Sequence, residues 1–119
     1  MRYLALVLVV TACQTSTRAN DELTGATAQV HAFFEALGRN DCATLGAMVP
    51  AANSPAACDK FLHEWREDLK LELVDITDVR RDGRDKHAII VTTTVKRHGE
   101  PKTMLFRATH EAGAWQLSL

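Results

Sequence analysis

What this sequence has little of already narrows the field. Three prolines and six glycines in 119 residues are too few for a collagen-like or low-complexity chain. Three cysteines are too few for a disulfide-dense mini-protein. With 46% hydrophobic and 24% charged residues the chain is not a disordered one. Net charge is only −1, so no global attraction to nucleic acid or to an anionic membrane is expected. The apolar run from Leu4 to Val10 is far short of the roughly 20 residues that span a bilayer. Tyrosine occurs once, as Tyr3. There is no Gly-rich phosphate loop, no nucleophile elbow, no His-Glu-x-x-His and no Cys-x-x-Cys. A chain of this length makes one domain with at most a short appendage.

What is present begins with an address. Met1-Arg2-Tyr3 supplies one positive charge, Leu4 to Val10 an apolar stretch, and Thr11-Ala12 two small residues before Cys13. That order is the order of a secretory signal peptide. Val10-Thr11-Ala12-Cys13 resembles the bacterial lipobox, which implies cleavage after residue 12 and lipidation of Cys13. The alternative is a buried N-terminal strand with a chance cysteine. Residues 13–23 are expected to be the lipidated Cys and a flexible tether, since Gln14 to about Asn20 is polar and lacks apolar periodicity. Gln14, in place of an Asp at that position, favours the outer membrane over the inner in a Gram-negative envelope. With Cys13 lipidated in an oxidising compartment, Cys42 and Cys58 are expected to form a disulfide. Two buried thiols, or metal ligands lacking partners at zinc spacing, are the alternatives.

The rest reads as helices followed by strands. Val30, Phe33, Phe34 and Leu37 form one stripe of a helix over about 24–37, with Gly38 as its stop. Asn40-Asp41 offers the N-cap of a short helix from about Cys42 to Val49. Ser54-Pro55 starts a third helix, to about Lys70, whose stripe is Cys58, Phe61, Leu62, Trp65 and Leu69. After Lys70 the residues turn β-branched, and four strands are expected over 71–81, 84–97, 102–111 and 114–119. The turns are Asp82-Gly83, Gly99-Glu100 and Ala112-Gly113. Two-residue turns place Ile76 opposite Ile89, Val95 opposite Met104 and Ala108 opposite Leu117, with every apolar set on one face. The expected architecture is α+β: N-terminal helices packed on a curved four-stranded antiparallel meander.

This order, with Val30-His31-Ala32-Phe33-Phe34-Glu35-Ala36-Leu37, Asn40-Asp41 and the closing Ala114-Trp115-Gln116-Leu117-Ser118-Leu119, resembles the nuclear transport factor 2-like superfamily. These are also called SnoaL-like or cystatin-like cone folds. The resemblance covers about residues 24–119. It implies a cone-like domain, but members include isomerases, cyclases, dehydratases and non-catalytic lipoproteins, so it implies no single function. The steroid-isomerase branch uses a Tyr in the cone. Here the single Tyr lies in the expected signal peptide.

The same register sets Asp78 opposite His87, and His110 beside Trp115, at one end of the apolar face. A carboxylate orients a His and a second His supplies an acid or base. With His31 on the helix-1 boundary, these form the candidate pocket: Asp78, His87, His110, Trp115 and His31. Solvated polar residues at strand ends are the competing reading, and Asp-His-His as a metal set is a weaker one. His63 and His98 receive no role. The basic residues Arg80, Arg81, Arg84 and Lys86, and Lys96, Arg97 and Lys102, are split between opposite ends and interrupted by acids, so no nucleic-acid groove is expected. The reverse sheet face, with Leu73, Ile90 and Leu105 among threonines, is a candidate homodimer surface. The expectation is therefore an envelope-anchored lipoprotein, joined to the membrane through its N-terminal lipid. Its domain acts as a non-enzymatic module for a small apolar ligand or a protein partner, with no cofactor and no metal. The alternative is a small cofactor-free isomerase- or cyclase-like enzyme using the His pair.

Overall fold

The structure, a computed structural model, describes residues 14–119, with side chains from Asp21 onward. The signal-peptide and Cys13 expectations lie outside the described residues. Three helices lead into four strands: α1 (Gln14–Arg39), α2 (Cys42–Met48), α3 (Pro55–Leu62), β1 (Glu72–Arg81), β2 (Ala88–Arg97), β3 (Glu100–Glu111) and β4 (Ala114–Ser118). The strands form one antiparallel sheet in the order β1-β2-β3-β4. The helices cover one of its faces, so the domain is an α+β open-sheet fold. Among the described residues no helix is long and apolar enough to cross a membrane.

The helix ends follow local chemistry, with three departures. Asp41 caps α2: its carboxylate accepts the Thr44 N–H at 3.1 Å and the Thr44 hydroxyl at 2.7 Å. Ser54 caps α3 by accepting the Ala57 N–H at 3.2 Å, with Pro55 in the first turn. α1, however, starts at Gln14, so residues expected to be a flexible tether are helical. The stretch Thr15 to Gln29 holds no proline and several good helix formers, and a helix already nucleated and packed from Leu23 onward propagates cheaply toward the N-terminus. α1 also runs through Gly38. It stops where Asn40 adopts a left-handed conformation, φ 55°, and the Asp41 N–H reaches back to the Ala36 carbonyl at 2.9 Å. The third helix does not stay α-helical to Lys70. From His63 to Asp68 it widens into a π-helix, with Leu69 N–H donating to the Glu64 carbonyl, and Lys70 ends it at φ 49°. Cys42 and Cys58 are joined by a disulfide, Cα to Cα 5.9 Å, that clamps α2 to α3.

The three hairpins show how turn chemistry sets register. β3–β4 pairs as expected, Ala108 with Leu117 and His110 with Trp115, around Ala112 and Gly113 at φ 53° and 79°. β2–β3 turns at His98-Gly99, one position earlier than expected, with φ 55° and 81°. The two-residue turn with positive φ at both positions wants glycine second, which His98-Gly99 provides and Gly99-Glu100 does not. Partners therefore slide by two: Thr93 faces Met104 and Val91 faces Phe106. A slide of two keeps each side chain on its own face.

The β1–β2 hairpin departs most. Asp82-Gly83 is not a two-residue turn, because the connection runs from Asp82 to His87. Asp82 accepts the Arg84 N–H and Asp85 accepts the His87 N–H, each at 2.9 Å, so two carboxylates each fold their own local turn. Arg81 then pairs with Ile89 and Val79 with Val91, and register shifts fall between Leu73 and Asp75 and between Ile76 and Asp78. The half-buried residues of β1 are consequently Leu73, Ile76 and Val79, spaced by three, while Val74 is 53% exposed. The expected pairs Ile76–Ile89 and Asp78–His87 do not form.

The space between helices and sheet holds side chains. Phe33 is fully buried. Ring centroids of Phe34, Phe61, Trp65 and Phe106 lie 5.2, 6.0, 5.4 and 5.5 Å from its own, all edge-to-face. Val30, Leu45, Ile89, Val91, Ala108 and Leu117 complete the surrounding core. The one buried polar residue of this core region, Thr93, donates its hydroxyl to the Met104 carbonyl at 2.9 Å.

Candidate functional site

Of the five candidate pocket residues, the structure brings two into side-chain contact. His110 and Trp115 are cross-strand partners at the β3–β4 end, with rings stacked at 4.4 Å and 6° between planes. Both are half-buried. Trp115 needs close access to α1, and Gly25 provides it: a Cβ at Gly25 would lie 2.8 Å from the indole Cζ2. The glycine is thus the seat of the tryptophan, a role invisible in the helix periodicity.

The other three are elsewhere. Asp78 pairs with Thr92, on the face of the sheet turned away from the helices, and makes an exposed ion pair with Arg80 at 3.5 Å. The long 82–87 connection shifts β1 by an odd number of residues against β2 at this end, which takes Asp78 off the apolar face. His87 is exposed in the β1–β2 connection, linked to His110 through backbone, His110 N–H donating to the His87 carbonyl at 3.2 Å. His31 is exposed on α1 and does not enter the core. Among the described residues no carboxylate hydrogen-bonds the imidazole of either His, and the Asp-His-His metal set is dispersed.

Trp115 instead closes one side of a shallow groove of about 550 Å³, formed with Gln29 of α1 and Ala43, Thr44, Ala47 and Met48 of α2. A second groove, of about 560 Å³, lies across α2 and is bounded by Cys42, Gly46, Ala52, Asn53 and Pro55. The exposed residues Ala43 and Ala47 form the low ridge between them. These volumes fall in the range of small-ligand sites, but both grooves are open to solvent on one side.

A further cluster was not anticipated. Arg107, on the outer sheet face, donates from Nε to Asp82 at 3.3 Å and from an Nη to Asp85 at 2.9 Å, pinning the β1–β2 connection to β3. Both carboxyls sit below the usual aspartate range. For Asp82 the Arg84 N–H is the main cause and Arg107 the next; for Asp85 the His87 N–H leads, and Arg107 adds to it. The visible sequence signal is the spacing Asp82-x-Arg84 and Asp85-x-His87, each an Asp followed two residues on by a backbone donor. Because both folded-state values are depressed, the support they give is fully present above the ordinary aspartate value of about 3.9 and is lost as pH falls through the folded values. The protection of the Arg84 and His87 amides, relative to their intrinsic exchange at each pH, should therefore fall below about pH 4, and Arg107→Gln should show that lowered protection already at neutral pH. Equal protection in the wild type and Arg107→Gln at pH 7 would remove the clamp.

No protein-family model matches this chain, and no curated protein does. Among solved structures, it is similar to a crystal structure from Sinorhizobium meliloti, provisionally named a polyketide cyclase. The TM-score is 0.51 at 16% identity, over 76% of this chain and 93% of that one. The likeness is one of fold. It agrees with the α+β arrangement of helices on one face of an antiparallel sheet.

Proposed function

We propose that this cone-type domain belongs to an exported lipoprotein, anchored through Cys13 in a bacterial envelope, and acts as a binding or protein-interaction module without catalysis of its own. The observation that carries the non-enzymatic part is the filled interior. Phe33 and its four aromatic neighbours occupy the region between helices and sheet, and Asp78, His87 and His110 do not converge on any shared space. Recognition then belongs to the outer surface, and the groove beside Trp115 is an apolar part of it that carries an aromatic wall. The lipobox-like Val10-Thr11-Ala12-Cys13 supports the anchor, and Gln14 favours outer-membrane sorting. A homodimer through the outer sheet face, where Val74 and Leu105 are exposed, remains part of this proposal.

The second reading is a cofactor-free isomerase or cyclase using His87 and His110. It draws on the fold shared with the protein named for cyclisation and on the backbone link between the two histidines. One experiment separates the two. Amide and methyl chemical shifts are recorded while flat apolar compounds are titrated in. Shifts confined to Gln29, Thr44, Met48 and Trp115, unchanged in His110→Ala apart from local effects, are expected for the module. Compound turnover that His110→Ala abolishes, or shifts centred on Phe33 and Phe106, would overturn it. The anchor has its own readout: Cys13→Ser should leave the precursor uncleaved and change membrane fractionation.

A further inference from the structure

The direction of α1 says which end of the domain meets whatever its N-terminus is attached to. Leu23 is the first residue of α1 packed on the core. Glu22 holds Arg81, the last residue of β1, at 2.9 Å, and Gly25 seats Trp115 near the β3–β4 turn. The start of α1 therefore lies at the same end of the sheet as the 82–87 connection. From Gln14 to Glu22 the helix rises only about 12 Å. The opposite end, where β2 turns into β3 at His98-Gly99, is a ten-residue strand farther away, about 33 Å.

The 82–87 connection faces outward at the near end with a defined charge. Its two carboxylates are engaged by Arg107 and by backbone N–H groups. Its cations, Arg84 and Lys86, are exposed, and neither makes an ion pair among the described residues. Arg107 thus does two things: it pins the connection, and its charge offsets part of that of Asp82 and Asp85, which otherwise rival an external anion for Arg84 and Lys86. Gly83, between them, has nothing within 4 Å of where a Cβ would stand.

We propose that the 82–87 connection is a membrane-facing surface, on which Arg84 and Lys86 contact the phosphate groups of anionic lipids in the bilayer that holds the N-terminus. The domain then stands on this end, with the His98-Gly99 turn at the far one. This rests on the lipoprotein reading above. Two cations near an anionic surface gain little affinity alone, but a tether a helix turn or two away makes the encounter intramolecular. A rigid helical start, where a flexible tether had been expected, also restricts the orientations among which those cations must choose.

The test uses the full lipidated chain in vesicles of phosphatidylethanolamine and phosphatidylglycerol, with a fluorophore at Gly83→Cys or, as the far-end reference, at Lys96→Cys. Quenching by headgroup spin-labelled lipid is read at each position. The near label should be quenched at least about threefold more than the far one, and salt of about 1 M, where the Debye length is about 3 Å, should shrink that ratio. The double variant Arg84→Gln/Lys86→Gln should shrink it likewise, with circular dichroism confirming an intact fold. Equal quenching of the two labels on protein that pellets with the vesicles would overturn the surface, as would a ratio indifferent to both salt and the double variant. If the lipidated chain and Cys13→Ser both stay in the supernatant, the anchor itself fails and this surface falls with it.

Discussion

Replacing Phe33 by Ala should lower stability by about 3–5 kcal/mol, the cost of removing a buried phenyl ring from a packed core. For a domain of this size that corresponds to a melting temperature lower by roughly 15–25 °C. The site argues for the upper part of the range. Phe33 is fully buried and is the hub of four edge-to-face contacts, none with a centroid separation above 6.0 Å. Each such pair adds about 0.5–1.5 kcal/mol to its area burial. Two neighbours, Phe61 and Trp65, are stacked on each other at 5.2 Å and 15°, so they cannot both rotate into the vacated volume. A dry cavity should remain. Benzene added to Phe33→Ala should raise its melting temperature and leave the wild type unaffected, since an apolar cavity of that kind binds apolar solutes. The experiment bears on function as much as on stability. A loss under about 1 kcal/mol, or benzene stabilisation of the wild type, would mean that the interior is not filled as described, and the enzymatic reading would regain its space.

The second large effect is expected from the disulfide. Cys42 and Cys58 are 16 residues apart, and closing a loop of that length stabilises by about 3 kcal/mol in the chain-entropy model. The consequence is local as well as global. α2 has seven residues, too few to persist alone, and it is held by the Asp41 cap, by buried Leu45 and Met48, and by the bridge to α3. Cys42→Ala/Cys58→Ala should lower the melting temperature by roughly 10–20 °C. Amide exchange along α2 should accelerate before that of β2 and β3, and because α2 forms a wall of both grooves, the Trp115 groove should lose definition with it. Unchanged exchange in α2 alongside a melting temperature within a few degrees of the wild type would show that the bridge is not what holds this helix.

The legible parts of the fold were those governed by neighbours in sequence. Ser54-Pro55 and Asp41 announced their helices, Ala112-Gly113 its turn, and the even spacing along β3 and β4 put His110 beside Trp115. The Cys42–Cys58 pairing followed from cysteine count and an expected oxidising compartment. What escaped were choices between two locally satisfactory solutions. Asp82-Gly83 satisfies a two-residue turn, yet Asp82 and Asp85 satisfy two Asx-type turns, and an arginine 22 residues beyond Asp85 favours the latter. That choice moved β1 by an odd number of residues at its hairpin end and took Asp78 off the apolar face, while the irregularity between Ile76 and Asp78 returned Ile76 to it. The proposed Asp78–His87 pair was lost through this single cause. Gly25 escaped for a different reason. Its role depends on an indole arriving from 90 residues away, and nothing in a helical stripe marks the position where a helix must be thin.

The bulges of β1 have an effect beyond register. β1 lies on the rim of the sheet, where unpaired N–H and C=O groups normally repeat at an even pitch and invite another chain to zip on. Two interruptions within ten residues break that pitch, and Glu72, Asp75, Asp78, Arg80 and Arg81 set charges of both signs along it. Molecules tethered to one bilayer share two dimensions and meet far more often than in solution. An open, regular rim would turn those meetings into fibrils. The irregular strand is protection against edge-to-edge aggregation, and under the proposed lipid anchor it acts where copies of the chain are most crowded.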